Sequence, residues 1–365
     1  MSGARTLETW ITPGRRSLLL LEDNPSGHRL AYVRILADGA LAKGDRVSIG
    51  ISAEVASSAE YKLHLVSLDK DVTFLVYDED RLSAMRALSE KVNADLTVVP
   101  DADRIALRLA LTRGWRGSGR LSLLIMRDSP QPSRFRATAW MKHRIKSRLI
   151  RRVERFKTVK LSRLKGSMGA GDMTGIAVDP VSISMTSESL EAARVDLKLT
   201  GDQYWFAIVG AISFRKNVSM VAQTIRLSGA RAGLVLAGKF DPGVLESLSP
   251  DLAQLRLLGI QVRVVDRLLT EIELDSTIAA VDCVILAHSN ESPSGIMGKA
   301  AAVGTRVLAA GAESLRLDSL KMPELANWVP LDEAKLGAAI LESSQMKRPS
   351  QSMTYGTSQF CETLL

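Results

Sequence analysis

The sequence predicts an α/β protein made of two doubly wound units, each a parallel sheet with helices on both faces. Three observations carry the prediction. Short apolar runs of strand length alternate with helical patterns, the alternation lapses over residues 166–195, and it restarts at Tyr204. A chain of 365 residues, 46% hydrophobic and 24% charged, is too long for one ordinary core and has the balance of a globular protein with two.

Arg16 to Asp23 (RSLLLLED) is the apolar run of a buried parallel strand. A turn-forming loop, Asn24 to His28, leads into a helix over Arg29 to Lys43 with Leu30, Val33, Ala37 and Leu41 on one face. Strand-like runs follow at Arg46–Ile51, Val72–Tyr77, Leu96–Val99, Leu121–Met126 and Val159–Leu164, with helices at Arg81–Val92 and Ile105–Thr112. In the second unit, strands are expected at Tyr204–Gly210, Ala232–Ala237, Val262–Val265, Val281–Ala287 and Arg306–Ala309. Helices lie between them at Val218–Leu227, Leu252–Leu258, Leu269–Ala280 (capped by Thr270) and Ser294–Val303, and a last one spans Leu331–Ser343. This gives an N-terminal domain over 1–185, a C-terminal domain over 186–345, and a tail, 346–365, that can pack back on the N-terminal domain.

Composition narrows the setting. Cys283 and Cys361 cannot form a disulfide framework, which points to a reducing cytoplasm. The first residues hold no apolar signal core, and no run reaches the roughly 18–20 apolar residues of a membrane span. The charge is uneven. Residues 127–165 hold fourteen Lys and Arg against Asp128 and Glu154, a net +12 that leaves −4 for the rest of a chain whose total is +8. Within this stretch Met141, Ile145, Leu149, Val153 and Phe156 form an apolar stripe. Arg144, Lys146, Arg148, Arg151, Arg152 and Arg155 surround it, the composition of a helix lying on an anionic membrane over residues 134–160. Trp140, Phe135 and Phe156 are too few to stack bases, so nucleic acid is not expected as a partner.

Two segments of the second unit carry chemistry. Ile208 to Asn217 (IVGAISFRKN) runs from a strand through Gly210 into a loop with Arg215 and Lys216. Ala287 to Ala300 (AHSNESPSGIMGKA) brings Glu291 and a Ser294-Gly295 turn to the start of a helix. A departing diphosphate needs cations and helix N-terminal N–H groups, and these segments supply both. In content and order, together with Arg267-Leu268-Leu269-Thr270-Glu271 between them and Gly304-Thr305-Arg306-Val307 after them, they resemble glycosyltransferase family 4 over residues 204–310.

The resemblance implies a GT-B fold and retaining, metal-independent transfer from a nucleotide-sugar donor to a saccharide or lipid-linked acceptor, in polysaccharide or cell-envelope synthesis. No cofactor is expected, the nucleotide sugar being a substrate. The catalytic residues it implies are Lys216, Glu291 and His28. Gly210, Arg215, Arg267, Leu268, Ser294, Gly295 and Lys299 lie at the donor, and Gly27 on the acceptor-side loop. Two positions depart from the family. Lys299 replaces the Glu that usually follows the first by eight residues, and a lysine cannot accept hydrogen bonds. Ala211 stands where an Arg is common. These departures motivate an alternative, a catalytically silent GT-B protein that partners an active transferase. The expected location is cytoplasmic, peripheral on the inner face of the plasma membrane.

Three other motifs read as local structure. Gly166 to Gly171 (GSMGAG) has the wrong order for a dinucleotide fingerprint, and Asp78-Glu79-Asp80 reads as a helix cap rather than a metal motif, as do Asp101 and Asp103. His64, His143 and His288 have no metal-ligand spacing, which argues against zinc.

Overall fold

The computed structural model describes residues 15–25, 29–78, 80–126, 136–166, 175–201, 203–291, 294–349 and 356–365, with side chains over 136–143 left aside. His28 and Gly27, and the Gly166–Gly171 motif beyond its first residue, therefore lie outside the described residues.

The first sheet holds seven parallel strands, β1 (Ser17–Glu22), β2 (Arg46–Ser52), β3 (Thr73–Tyr77), β4 (Leu96–Val99), β5 (Arg120–Ile125), β6 (Val159–Lys165) and β7 (Ile176–Val178), in the order β3-β2-β1-β4-β5-β6-β7. Every residue of β1 is buried, because both faces of the sheet are covered. Leu18 and Leu20 pack with Leu30, Val33 and Leu36 of helix Arg29–Ala42, while Leu19 and Leu21 pack on the other face with Leu82, Met85 and Ile105. The second sheet holds β8 (Tyr204–Val209), β9 (Ala232–Ala237), β10 (Val262–Val265), β11 (Cys283–His288), β12 (Arg306–Gly311) and β13 (Ala326–Val329), in the order β10-β9-β8-β11-β12-β13. In each sheet the strand order reverses once, between β1 and β4 and between β8 and β11. Ligands of doubly wound folds bind beyond the carboxyl ends of the strands at such points.

Several elements were not expected from the sequence. Helix Ser187–Asp196 fills part of the stretch expected to be a connection, held by a capping box between Thr186 and Ser189. Helix Glu313–Ser319 and edge strand β13 are additional. Helix Val244–Leu257 runs through Pro250, a residue that normally ends a helical reading. The basic helix spans Arg136–Val153, but Ile150 and Val153 are buried, and Leu149 and Phe156 pack against the same core as Ile105 and Leu109. The C-terminal half of the stripe expected to meet a membrane therefore faces protein. Ile145 remains 53% exposed, and Arg148, Arg151, Arg152 and Arg155 stay on the outer face.

The two sheets approach each other by their carboxyl rims. Lys239, just after β9, lies 3.6 Å from Glu60, shortly after β2. After the last helix of the second half, Glu333–Ser344, Arg348 binds Ala279 O, Gly304 O and Thr305 Oγ1. The chain then ends in helix Ser358–Leu364 on the first half, where the Phe360 ring sits 5.0 Å from Tyr32, Gln359 Nε2 donates to Ile176 O, and Arg16 donates to Leu365 O.

Candidate functional site

At the second switch point the chain leaves β8 through Gly210, whose φ of +80° is a left-handed conformation that favours glycine. Opposite it Gly238, after β9, comes so close that a Cβ would stand 2.1 Å from Gly210 O. The backbone then makes a single 3-10 turn, Phe214–Lys216, and enters helix Val218–Ser228 through Asn217, held at φ +48°. The Asn217 amide donates to Ala287 O at 2.8 Å, and Ser289 N donates to Arg215 O at 3.0 Å. These bonds fasten the loop after β8 to the end of β11.

Lys216 is the central group. Its side chain is buried, and its ammonium donates to Val209 O at 2.5 Å. A Cβ at Gly210 would lie 3.8 Å from Lys216 Nζ and 3.5 Å from Ile296 Cδ1, so Gly210, Lys216 and the first turn of helix Gly295–Ala302 converge. Burial, with help from the Arg215 charge and against the pull of Asp241, pushes the lysine down to about 7. His288, the last residue of β11, is also buried, and neither imidazole nitrogen has a hydrogen-bond partner. Burial, then Lys216 and Arg215, push it down to about 3 and keep the ring neutral. In the sequence His288 is a lone histidine without metal-ligand spacing; its burial beside Lys216 and Arg215 is visible only in the fold.

Arg215 is exposed and donates to Asn290 Oδ1 at 3.3 Å. Ser294 is the N-cap residue of helix Gly295–Ala302 but makes no side-chain cap bond. The first N–H groups of a helix lack intrahelical partners, which suits them to anions, and Ile296 in this first turn lies beside Gly210. Gly210, Lys216 and the start of helix Gly295–Ala302 thus lie together, with Arg215 on the loop beside them.

The other expected residues are engaged elsewhere. Glu291 accepts Glu313 N at 2.8 Å and Ser314 N at 3.0 Å, so its carboxylate caps helix Glu313–Ser319. Arg267 pairs with Glu273 at 2.6 Å and also donates to Leu268 O. Glu273 completes the capping box with Thr270, and the Arg267 pair with its cap bonds holds it down at about 2. Lys299 is buried and donates to Asp275 at 2.6 Å, Glu271 at 2.9 Å and Ser182 O at 2.9 Å. It braces helices Glu271–Ala280 and Gly295–Ala302 to the segment joining the two sheets, which Asp275 also holds through Ser184 N at 2.7 Å.

At the first switch point Asp80 caps helix Arg81–Lys91 as expected. Asp101 accepts Asp103 N at 3.4 Å at the start of helix Asp103–Ala110, whose first turn carries Asp103, and its other oxygen pairs with Arg29 at 2.5 Å.

The two facing, parallel, doubly wound sheets are those of the GT-B class. No family model matches the chain, and no curated protein matches it in sequence. Among solved structures it is similar to Anabaena HepE in complex with UDP-glucose, with a TM-score of 0.65 and 13% identity over 95% of this chain and 98% of that one. It is similar to sucrose-phosphate synthase from Thermosynechococcus elongatus, with a TM-score of 0.63 and 16% identity over 95% and 97%. A third is WaaG, a glycosyltransferase involved in lipopolysaccharide biosynthesis, with a TM-score of 0.61 and 12% identity over 95% and 93%. At these identities the likeness establishes the fold. The chain has the GT-B fold.

Proposed function

We propose that this protein is a glycosyltransferase that moves a hexose-type sugar from a nucleotide-sugar donor to a saccharide or lipid-linked acceptor. The observation that carries the reading is the buried Lys216 ammonium at the β8–β11 switch point, beside Gly210 and the start of helix Gly295–Ala302. A lysine desolvated against one carbonyl gains strongly from a diphosphate, because charge pairing strengthens as water is excluded. Arg215 and the backbone N–H groups at Ser294 and Gly295 add to the same stabilisation as charge develops on the leaving diphosphate. The complexes of HepE with UDP and with UDP-glucose support a nucleotide-sugar donor.

On this reading residues 186–345 take the donor and residues 1–185 the acceptor. Retention and independence from metal follow from the sequence resemblance, as does a place in polysaccharide or envelope synthesis at the cytoplasmic membrane face. Among the described residues no helix is long and apolar enough to cross a membrane. Attachment would rest on the exposed arginines of helix Arg136–Val153. Calorimetric titration with UDP-, GDP- and ADP-sugars tests the reading: one of them should bind, and Lys216→Ala should abolish the heat. Absence of binding by all three would sink it. One observation favours a catalytically silent GT-B partner as the second reading: both oxygens of Glu291 are engaged in capping a helix. Hydrolysis or transfer of a bound donor excludes it.

A further inference from the structure

The carboxyl rim of the first sheet, from the end of β1 to the end of β3, holds a polar cluster that donor chemistry does not use. Glu22, the last residue of β1, is fully buried. Its Oε1 accepts Asp23 N and Asn24 N, both at 3.0 Å, and so shapes the start of the loop after β1. Its Oε2 has no hydrogen-bond partner. Arg81, at the start of helix Arg81–Lys91, binds Asp23 through Nη1 at 2.9 Å, but its Nε and Nη2 are buried without partners. Nη2 lies 3.6 Å from Glu22 Oε1, beyond hydrogen-bond reach. Tyr77, the last residue of β3, has a buried hydroxyl that is likewise unpaired. A buried polar atom left unpaired is costly, so four on three neighbouring side chains call for a partner.

We propose that Glu22, Tyr77 and Arg81 form a subsite for an uncharged vicinal diol, the hydroxyl face of a saccharide. The group to be matched is mixed. Arg81 offers two donors, the Tyr77 hydroxyl can play either part, and Glu22 Oε2 accepts when ionised and donates when protonated, burial pushing that carboxyl up to about 8. Adjacent sugar hydroxyls both accept and donate, whereas a phosphate or carboxylate anion only accepts. Charge decides the same way. Arg81 is already neutralised by Asp23, and Arg29 by Asp101. A cluster with no surplus positive charge gives an anion little. The inference depends on the transferase reading only in naming the saccharide as the acceptor.

The test is binding, by saturation-transfer NMR and calorimetry. The probes are methyl glucoside, methyl mannoside, methyl galactoside and inositol, set against glucose 6-phosphate and glucuronate, with UDP titrated separately. Wild type is compared with Tyr77→Phe, which keeps the ring and removes only the hydroxyl, and with Glu22→Gln. A neutral probe should bind, weakened up to about tenfold in Tyr77→Phe, the scale of one hydrogen bond. UDP affinity should be unchanged in that variant, and its ligand-free melting temperature should not fall. No binding by any neutral probe, equal binding by Tyr77→Phe, or preference for the charged sugars would overturn the proposal; the second outcome would make trapped water the partner. Polyol binding without UDP binding would remove the transferase reading and leave this one standing.

Discussion

The carboxyl rims of the two sheets share one topology and are furnished in opposite ways. Beyond β8 and β11 the functional groups come from two short segments, 208–217 and 287–300, and their geometry rests on glycines and one buried lysine. Beyond β1 and β3 the groups are Glu22, Tyr77 and Arg81, more than fifty residues apart at their widest and joined only by the folding of the sheet. One rim is built around an uncompensated cation, the other around pairs that cancel. A leaving diphosphate and a neutral acceptor would ask for this division.

The sharpest way to break the comparison is at Lys216. Lys216→Ala should lower kcat/KM by roughly two to four powers of ten, the scale of one lost electrostatic stabiliser, while Tyr77→Phe should raise acceptor KM by no more than about tenfold. Steady-state kinetics with donor and acceptor varied in turn measures both. Near-normal turnover by Lys216→Ala would dissolve the distinction between the rims.

Lys299 should behave as a brace. Removing one member of a buried charge cluster costs about 3–5 kcal/mol, so Lys299→Ala should lower the urea midpoint, and Lys299→Glu should lower it further by facing Asp275 and Glu271. Asp275→Asn should repeat the loss. A wild-type midpoint in Lys299→Ala would show that this cluster holds nothing.

The basic helix offers a third contrast, between charge and apolar surface. Each arginine near an anionic leaflet contributes about 1 kcal/mol, falling off over roughly 8–10 Å. Replacing Arg148, Arg151, Arg152 and Arg155 by Ser should therefore release the protein from anionic vesicles at low salt and leave nucleotide affinity intact. Equal sedimentation with neutral vesicles would remove the electrostatic account.

The smallest effect is in pH. Lys216 titrates at about 7 in the folded protein, below its ordinary 10.5. Between those values the unfolded chain holds a proton that the folded chain has lost, so this group makes stability rise with pH across that window. Lys216→Met should be more stable than wild type at pH 6, with the gap closing as pH climbs toward 10. Diphosphate binding runs the other way, weakening above pH 7 as the ammonium is lost, up to about tenfold per pH unit. A gap in melting temperature that does not vary with pH would show that Lys216 stays charged.

What the sequence made legible follows from these contrasts. The length and alternation of apolar runs reveal both sheets, because Leu18–Leu21 in β1 and Trp205–Val209 in β8 are continuous apolar and buried. β7 and β13 escaped because three or four residues, with Asn327 and Trp328 in the latter, hold too little pattern. The Gly210–Lys216 loop was readable because its chemistry is contiguous. Lys299 was read at the donor because sequence shows a residue's position on a helix but not its partners, here Asp275 and Ser182. The stripe of the basic helix was readable as amphipathic. What it faced was not, since Leu149 and Val153 look the same against Ile105 as against lipid.

The chain crosses between its two sheets twice, once through the segment around Ser182 and again between Arg348 and Phe360. Each crossing is anchored at both ends: Tyr32 holds Asp179 and Lys299 holds Ser182 on the first, while Arg348 and Gln359 fasten the second. The two halves are thus linked by side-chain anchors on both sides of residues 179–182, so loss of Lys299, which frees Ser182 as well as Asp275, loosens the join between the sheets along with the second half itself.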